Sequence, residues 1–159
     1  MVGAIFVAYG KLTLGGIIIM IMSFIDVLDG AVARAGGELE EFGAFVDSVS
    51  DRYSDLMILG SLLWYFVETE FYLAGVVTFL AAAGSVLVSY VRARAQSLGF
   101  EAKVGILTRA ERIMVLVAAL IFNIPFIGVL IIAVFGNITA FQRIAHVRKQ
   151  AYQRKANRN

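Results

Sequence analysis

Two uncharged stretches limit what this chain can become. Residues 71–91 read FYLAGVVTFLAAAGSVLVSYV, and residues 113–142 read IMVLVAALIFNIPFIGVLIIAVFGNITAFQ, with no Asp, Glu, Lys or Arg in either. A helix needs roughly 20 apolar residues to cross the hydrocarbon core of a bilayer. The whole chain is 60% hydrophobic and 16% charged over 159 residues, with a mean hydropathy of +0.81. A soluble domain of this size needs more polar surface. The fold class expected is therefore all-α, a polytopic membrane helix bundle in one domain. The sequence has no Cys, which excludes disulfides, thiolate metal sites and Cys nucleophiles. Its one histidine, His146, argues against His-rich zinc or haem sites and reads as an interfacial residue.

The pattern predicts a short apolar stub followed by five helices, over 13–34, 42–67, 71–97, 109–123 and 126–148. The stub, MVGAIFVAYG, is too short to span and lacks the basic start of a secretory signal. It reads as the outer half of a helix that begins before this sequence. Residues 1–148 then form one membrane domain, and 149–159 a basic, solvated and frayed tail. Arg34, Arg92, Arg94, Lys103, Arg109, Arg112 and the basic residues from Arg143 to Arg158 all fall on one side of such a bundle. By the positive-inside rule that side is cytoplasmic, in a multi-pass protein of the cell membrane. The aromatic and acidic cluster WYFVETEFY at 64–72 belongs to the outer interface, where Glu68 and Glu70 sit in a solvated turn.

Four acids interrupt the apolar pattern within DVLDGAVARAGGELEEFGAFVDSVSD, residues 26–51. A carboxylate inside a membrane is costly and marks function by default. Asp26 and Asp29 are three apart and Asp47 and Asp51 four apart, so each pair shares a helix face. The short link between their helices suggests that the two helices lie side by side and aim four carboxylates into one volume. So many anions repel unless a cation joins them. An oxygen-only site selects Mg²⁺, Mn²⁺ or Ca²⁺, and two such ions can clamp a phosphate. Mutual pairing with Arg34 and Arg52 is the plainer explanation, yet two arginines do not balance four aspartates plus Asp55. Asp55, one turn beyond Asp51, reads as a partner of Arg52 or a tuning group and not as a catalytic residue. Gly30, Ala33 and Gly43 lie one turn from the acids, where small side chains either admit a ligand or let helices pack. Arg34 beside a metal site suits a phosphate oxygen.

Asp26-x2-Asp29-Gly30-x2-Ala33-Arg34-x8-Gly43-x3-Asp47-x3-Asp51 resembles the signature of the CDP-alcohol phosphotransferase family at every fixed position. The resemblance implies a six-transmembrane-helix enzyme, here with its first helix incomplete, that is usually a homodimer. Such enzymes transfer a phosphatidyl or phosphoalcohol group from a CDP-linked donor to an alcohol and release CMP. It implies metal ligands at Asp26, Asp29, Asp47 and Asp51, and a general base at Asp51. It also implies contacts to the CDP moiety from Asp29, Gly30, Ala33, Arg34, Gly43 and Asp47. The expected cofactor is Mg²⁺, with two ions and Mn²⁺ as the alternative.

The acceptor is read from basic residues farther along. YVRARAQSLGFEAKVGILTRAERI and TAFQRIAHVRK bring Arg92, Arg109, Arg112 and Arg143 to the same membrane level as the aspartates. Positive-inside anchoring or attraction to anionic headgroups explains them without a ligand. A pocket for a phosphorylated acceptor is the functional reading. The stretches are similar to those of phosphatidylinositol-phosphate and archaetidylinositol-phosphate synthases. That similarity implies inositol 1-phosphate as acceptor and CDP-diacylglycerol or CDP-archaeol as donor. Membrane lipids are the surroundings, and no nucleic acid is involved. Phosphatidylglycerophosphate synthases, which use glycerol 3-phosphate, are the alternative. A divalent-cation transporter is a different class, since intramembrane acids also mark ion pathways. These acids cluster at one face, however, and no second acidic station crosses the membrane.

Overall fold

In the computed structural model the described residues are 2–35 and 40–157, with side chains described outside 27–41. They form six helices: α1 (Val2–Ala8), α2 (Leu12–Ala35), α3 (Glu40–Glu68), α4 (Tyr72–Ser97), α5 (Arg109–Ile121) and α6 (Pro125–Ala156). The stub and all five predicted helices are present. Two of them, α4 and α6, are long and apolar enough to cross a membrane by length and composition. The apolar part of α2 is shorter, α5 is 13 residues long, and α3 carries Asp47, Asp51, Arg52 and Asp55 between its second turn and its middle.

Helix ends follow local chemistry. After α3, α4 and α5 the chain closes with paired backbone bonds around one left-handed residue. For α4 these are Gly99 N–H to Gln96 O at 3.0 Å and Phe100 N–H to Ala95 O at 2.9 Å. Gly99 has φ +71, a backbone shape that glycine adopts at no steric cost. Glu70 and Asn123 take the same shape after α3 and α5. At the start of α5, Thr108 and Glu111 form a reciprocal capping box that fixes where Arg109 begins the helix.

The core runs through the middle of the bundle, where Val7, Leu62, Leu120, Val129 and Ile132 are fully or almost fully buried. The α4–α6 pair packs most extensively. Small residues on its facing sides, including Ala81 and Gly84 with Ala133 and Gly136, let the two helices approach closely. Outward faces carry exposed Leu73, Val76, Phe79 and Phe141, as expected where lipid is the solvent.

Two expectations change. Among the described residues, α2 and α3 are not a closely packed pair. Helix α2 packs on α1 and α5, and α3 packs on α1 and α4. A short link fixes the distance between the ends it joins, not the neighbour each helix chooses along its length. The gap between their acid-bearing ends is the cavity described below. The basic tail is also not frayed, because α6 continues to Ala156. Its side chains bond to the link between α4 and α5: Gln150 both donates to Glu101 O and accepts from Glu101 N–H, and Arg154 donates to Gly99 O.

Candidate active site

Helices α2, α3 and α5 enclose a cavity of about 810 Å³. At one end it is lined by Asp26 from α2, Asp47 and Asp51 from α3, and Arg109 from the first turn of α5. Beyond these the wall is apolar, built from Met20 and Phe24 on α2 and from Ile113, Met114, Val117 and Ile121 on α5. A cleft with an ionic end and a long apolar wall matches an amphiphile, with a charged head and hydrocarbon tails.

Electrostatics differ sharply among the acids. Asp26 and Asp47 are exposed toward the opening, and no ion pair among the described residues involves either. Asp51 is 22% exposed and held by two arginines, Arg109 Nη1 at 2.8 Å and Arg52 Nη1 at 3.8 Å. Arg52 also donates to the Ser48 carbonyl one turn back. Behind Asp51 lies Asp55, 11% exposed. Its Oδ1 accepts from Arg109 Nε at 3.3 Å and its Oδ2 from Arg112 Nη2 at 3.4 Å. One guanidinium, Arg109, thus spans two carboxylates one helical turn apart. Arg112 is buried, donates also to Leu107 O at 3.4 Å, and leaves its Nε without a partner.

The predicted site residues therefore separate into groups. Asp26, Asp47, Asp51 and Arg109 come together on one cavity. Gly43 lies on α3, and no atom of the described residues comes within 4 Å of where its Cβ would be. Asp29, Gly30, Ala33 and Arg34 belong to α2, but their side chains lie outside the described residues. Arg92 is exposed on α4 and does not line the cavity. Arg112 and Arg143 do not line it either. Arg143 is buried, donating from Nε to Val104 O at 2.9 Å and from Nη1 to Val88 O at 2.6 Å.

Asp55 is the residue that sequence reasoning underrated. It pairs with Arg109 and Arg112, not with Arg52. The signal was present, since Asp51 and Asp55 are one turn apart on α3 and Arg109 and Arg112 one turn apart on α5. Nothing in the sequence said that those two faces meet.

The donor set fits a hard divalent cation, because every candidate ligand is a carboxylate and no Cys or His competes. Among the described residues no three such side chains are close enough to hold an ion together. The fourth aspartate, Asp29, is outside them.

The model of the CDP-alcohol phosphatidyltransferase family matches residues 1–142. This chain belongs to that family. It is 42% identical to an archaetidylinositol phosphate synthase of Pyrococcus horikoshii, over 86% of this chain and 71% of that one. It is 33% identical to a phosphatidylinositol phosphate synthase of Mycobacteroides abscessus, over 87% of this chain and 67% of that one. Among solved structures it is similar to the phosphatidylinositol phosphate synthase PgsA1 of Mycobacterium tuberculosis with CDP-DAG bound. The TM-score is 0.86 at 29% identity, covering 92% of this chain and 79% of that one. The same enzyme in complex with manganese and citrate matches with a TM-score of 0.83 at 28% identity, over 92% and 75%. The fold, the family and the class of enzyme, a transferase acting on CDP-linked alcohols, follow from these likenesses.

Proposed function

We propose that this chain is a membrane-embedded phosphatidylinositol-phosphate-type synthase. It moves a phosphatidyl-type group from a CDP-activated lipid to inositol 1-phosphate, giving phosphatidylinositol phosphate and CMP. The observation that carries this reading is the single cavity in which acids from two helices and Arg109 adjoin a long apolar wall. Relatives named for inositol phosphate products support the choice of acceptor over glycerol 3-phosphate.

The residues take the following parts. Asp26, Asp29, Asp47 and Asp51 would hold divalent ions, two Mg²⁺ in our reading, whose chemistry is to neutralise the diphosphate and the charge of departing CMP. Gly30, Ala33, Arg34 and Gly43, with Asp29 and Asp47, bind the CDP portion. The lipid tails lie along the apolar faces of α2 and α5. An acceptor hydroxyl oxygen attacks the phosphorus that bears the lipid. Its proton passes to an Asp51 carboxylate oxygen, and the phosphorus–oxygen bond to CMP breaks with the electron pair leaving on CMP. Arg109, already aligned by Asp51 and Asp55, binds the phosphate of the acceptor. Arg92, exposed at the same end, guides that anion in. Arg112 and Arg143 support the pocket from behind.

The same reading takes residues 1–148 as a six-span membrane domain with its active site and C-terminus toward the cytoplasm, working as a homodimer. The concentration of basic residues at the acid-bearing end supports that orientation.

The test is a turnover assay on purified protein with CDP-diacylglycerol or CDP-archaeol and Mg²⁺. The acceptors compared are inositol 1-phosphate, glycerol 3-phosphate and free inositol. We expect CMP and a phosphorylated inositol lipid with inositol 1-phosphate alone. CMP release only with glycerol 3-phosphate, or with no acceptor in the panel, overturns the assignment.

A further inference from the structure

The link between α4 and α5, residues 98–108, contains no helix or strand. It is nevertheless tied along its length to α6. Thr139 Oγ1 accepts from both Ile106 N–H and Leu107 N–H, each at 3.3 Å. Arg143 Nε donates to Val104 O, while its Nη1 reaches back to Val88 O on α4. Gln150 exchanges two bonds with the backbone of Glu101, at 3.1 and 2.6 Å. Arg154 donates to Gly99 O at 2.6 Å and lies 4.3 Å from the centre of the Phe100 ring. Positions 139, 143, 150 and 154 fall within about 60° of one another around an α-helix. They form one stripe whose hydrogen bonds to the link all go to backbone groups.

The link fits the stripe closely. Gly105, at φ +138, sits so near Thr139 that a Cβ there would come within 2.3 Å of its methyl group. Immediately after the link come the Thr108–Glu111 capping box and Arg109, whose guanidinium reaches Asp51 at 2.8 Å.

We propose that α6 acts as a strap whose stripe holds the 98–108 link in register, making Thr139, Arg143, Gln150 and Arg154 positioning residues for Arg109. Arg143, Gln150 and Arg154 lie beyond residue 142, where the family match ends. The inference rests on the reading of Arg109 as the group that binds the acceptor phosphate. It gives the helical extension of α6 a task that a basic membrane anchor would not need, because Gln150 is uncharged and spends both its donor and its acceptor on the link.

The chain has no cysteine, so a spin label at Lys103→Cys reports on the link alone. Lys103 is exposed, and its one ion pair among the described residues is with Glu101 of the same link, at 3.9 Å. Arg154→Ala and Gln150→Ala are each placed in this background and compared with the unaltered strap and with Arg154→Lys. We expect greater label mobility in both alanine variants. KM for inositol 1-phosphate rises about tenfold, while KM for the CDP-lipid stays within about twofold, as for an acceptor-side group slightly misplaced. Arg154→Lys, which keeps a donor for Gly99 O, recovers part of both effects. Unchanged mobility, or higher mobility with unchanged acceptor KM, overturns the proposal. So does an equal loss toward both substrates accompanied by a lower unfolding temperature, which marks a merely structural role. If the unaltered protein releases no CMP with inositol 1-phosphate, the functional reading fails by itself, and the label spectra still decide whether the strap exists.

Discussion

The charged residues form two sets that look equivalent in the sequence and behave oppositely in the fold. Asp26 and Asp47 open onto a cavity, and no described side chain neutralises them. Arg112 and Arg143 are almost wholly buried, and their guanidinium groups bond to Asp55 and to carbonyl oxygens of Leu107, Val104 and Val88. Both sets are costly to place in a membrane. In the arginine set much of the cost is offset by bonds within the protein, with Arg112 Nε alone left unpartnered among the described residues, and we read its role as architectural. In the acidic set it is left to be offset by something that binds. Arg109 belongs to both, because it lines the cavity and is anchored by the buried Asp55.

Substitutions on either side test that contrast, beginning with the largest effect. Asp51→Asn removes the proposed base while keeping the shape, and CMP release should fall by roughly 10²–10⁴-fold. A variant with turnover near that of the parent would remove Asp51 from the chemistry. Arg112→Ala should act on stability instead. It deletes one of the two partners of the buried Asp55, for a cost of about 3 kcal/mol in thermal unfolding. If unfolding is unaffected but acceptor KM rises steeply, Arg112 is a ligand group and the division fails.

Gly105→Ala forces both an unfavourable backbone angle and a clash with Thr139, for about 1–3 kcal/mol of destabilisation. Arg109→Lys keeps the charge but cannot bridge Asp51 and Asp55 while still presenting a planar fork. An acceptor KM raised about tenfold with little change in unfolding is the expected outcome. The smallest effect on stability belongs to Asp47→Asn, within about 0.5 kcal/mol for an exposed side chain, although it sits in the proposed metal site.

The sequence carried the helices well because their signal is local. Apolar runs placed the helix bounds, apart from the end of α6, within about two residues. The end of α6 was misjudged because its last turns are polar and are held by Gln150 and Arg154, whose partners lie about 50 positions earlier in the chain. The aspartate pairs were legible because three- and four-residue spacing fixes a shared face within one helix. Pairings across helices were not legible: Asp55 with Arg112, Thr139 with the backbone of Ile106, and Arg143 with Val104 depend on which faces meet. The close packing expected between α2 and α3, not found among the described residues, was not legible for the same reason.

The central claim is that the acidic end of the cavity is left open for a divalent cation while the buried arginines serve the fold. Equilibrium Mn²⁺ binding to the purified full chain, followed by electron paramagnetic resonance, tests it most directly. The account predicts saturable binding that weakens at least about tenfold in Asp26→Asn, Asp47→Asn and Asp51→Asn, one cation ligand being lost in each, and that persists in Arg154→Ala. Mn²⁺ affinity unchanged in all three aspartate variants would contradict it.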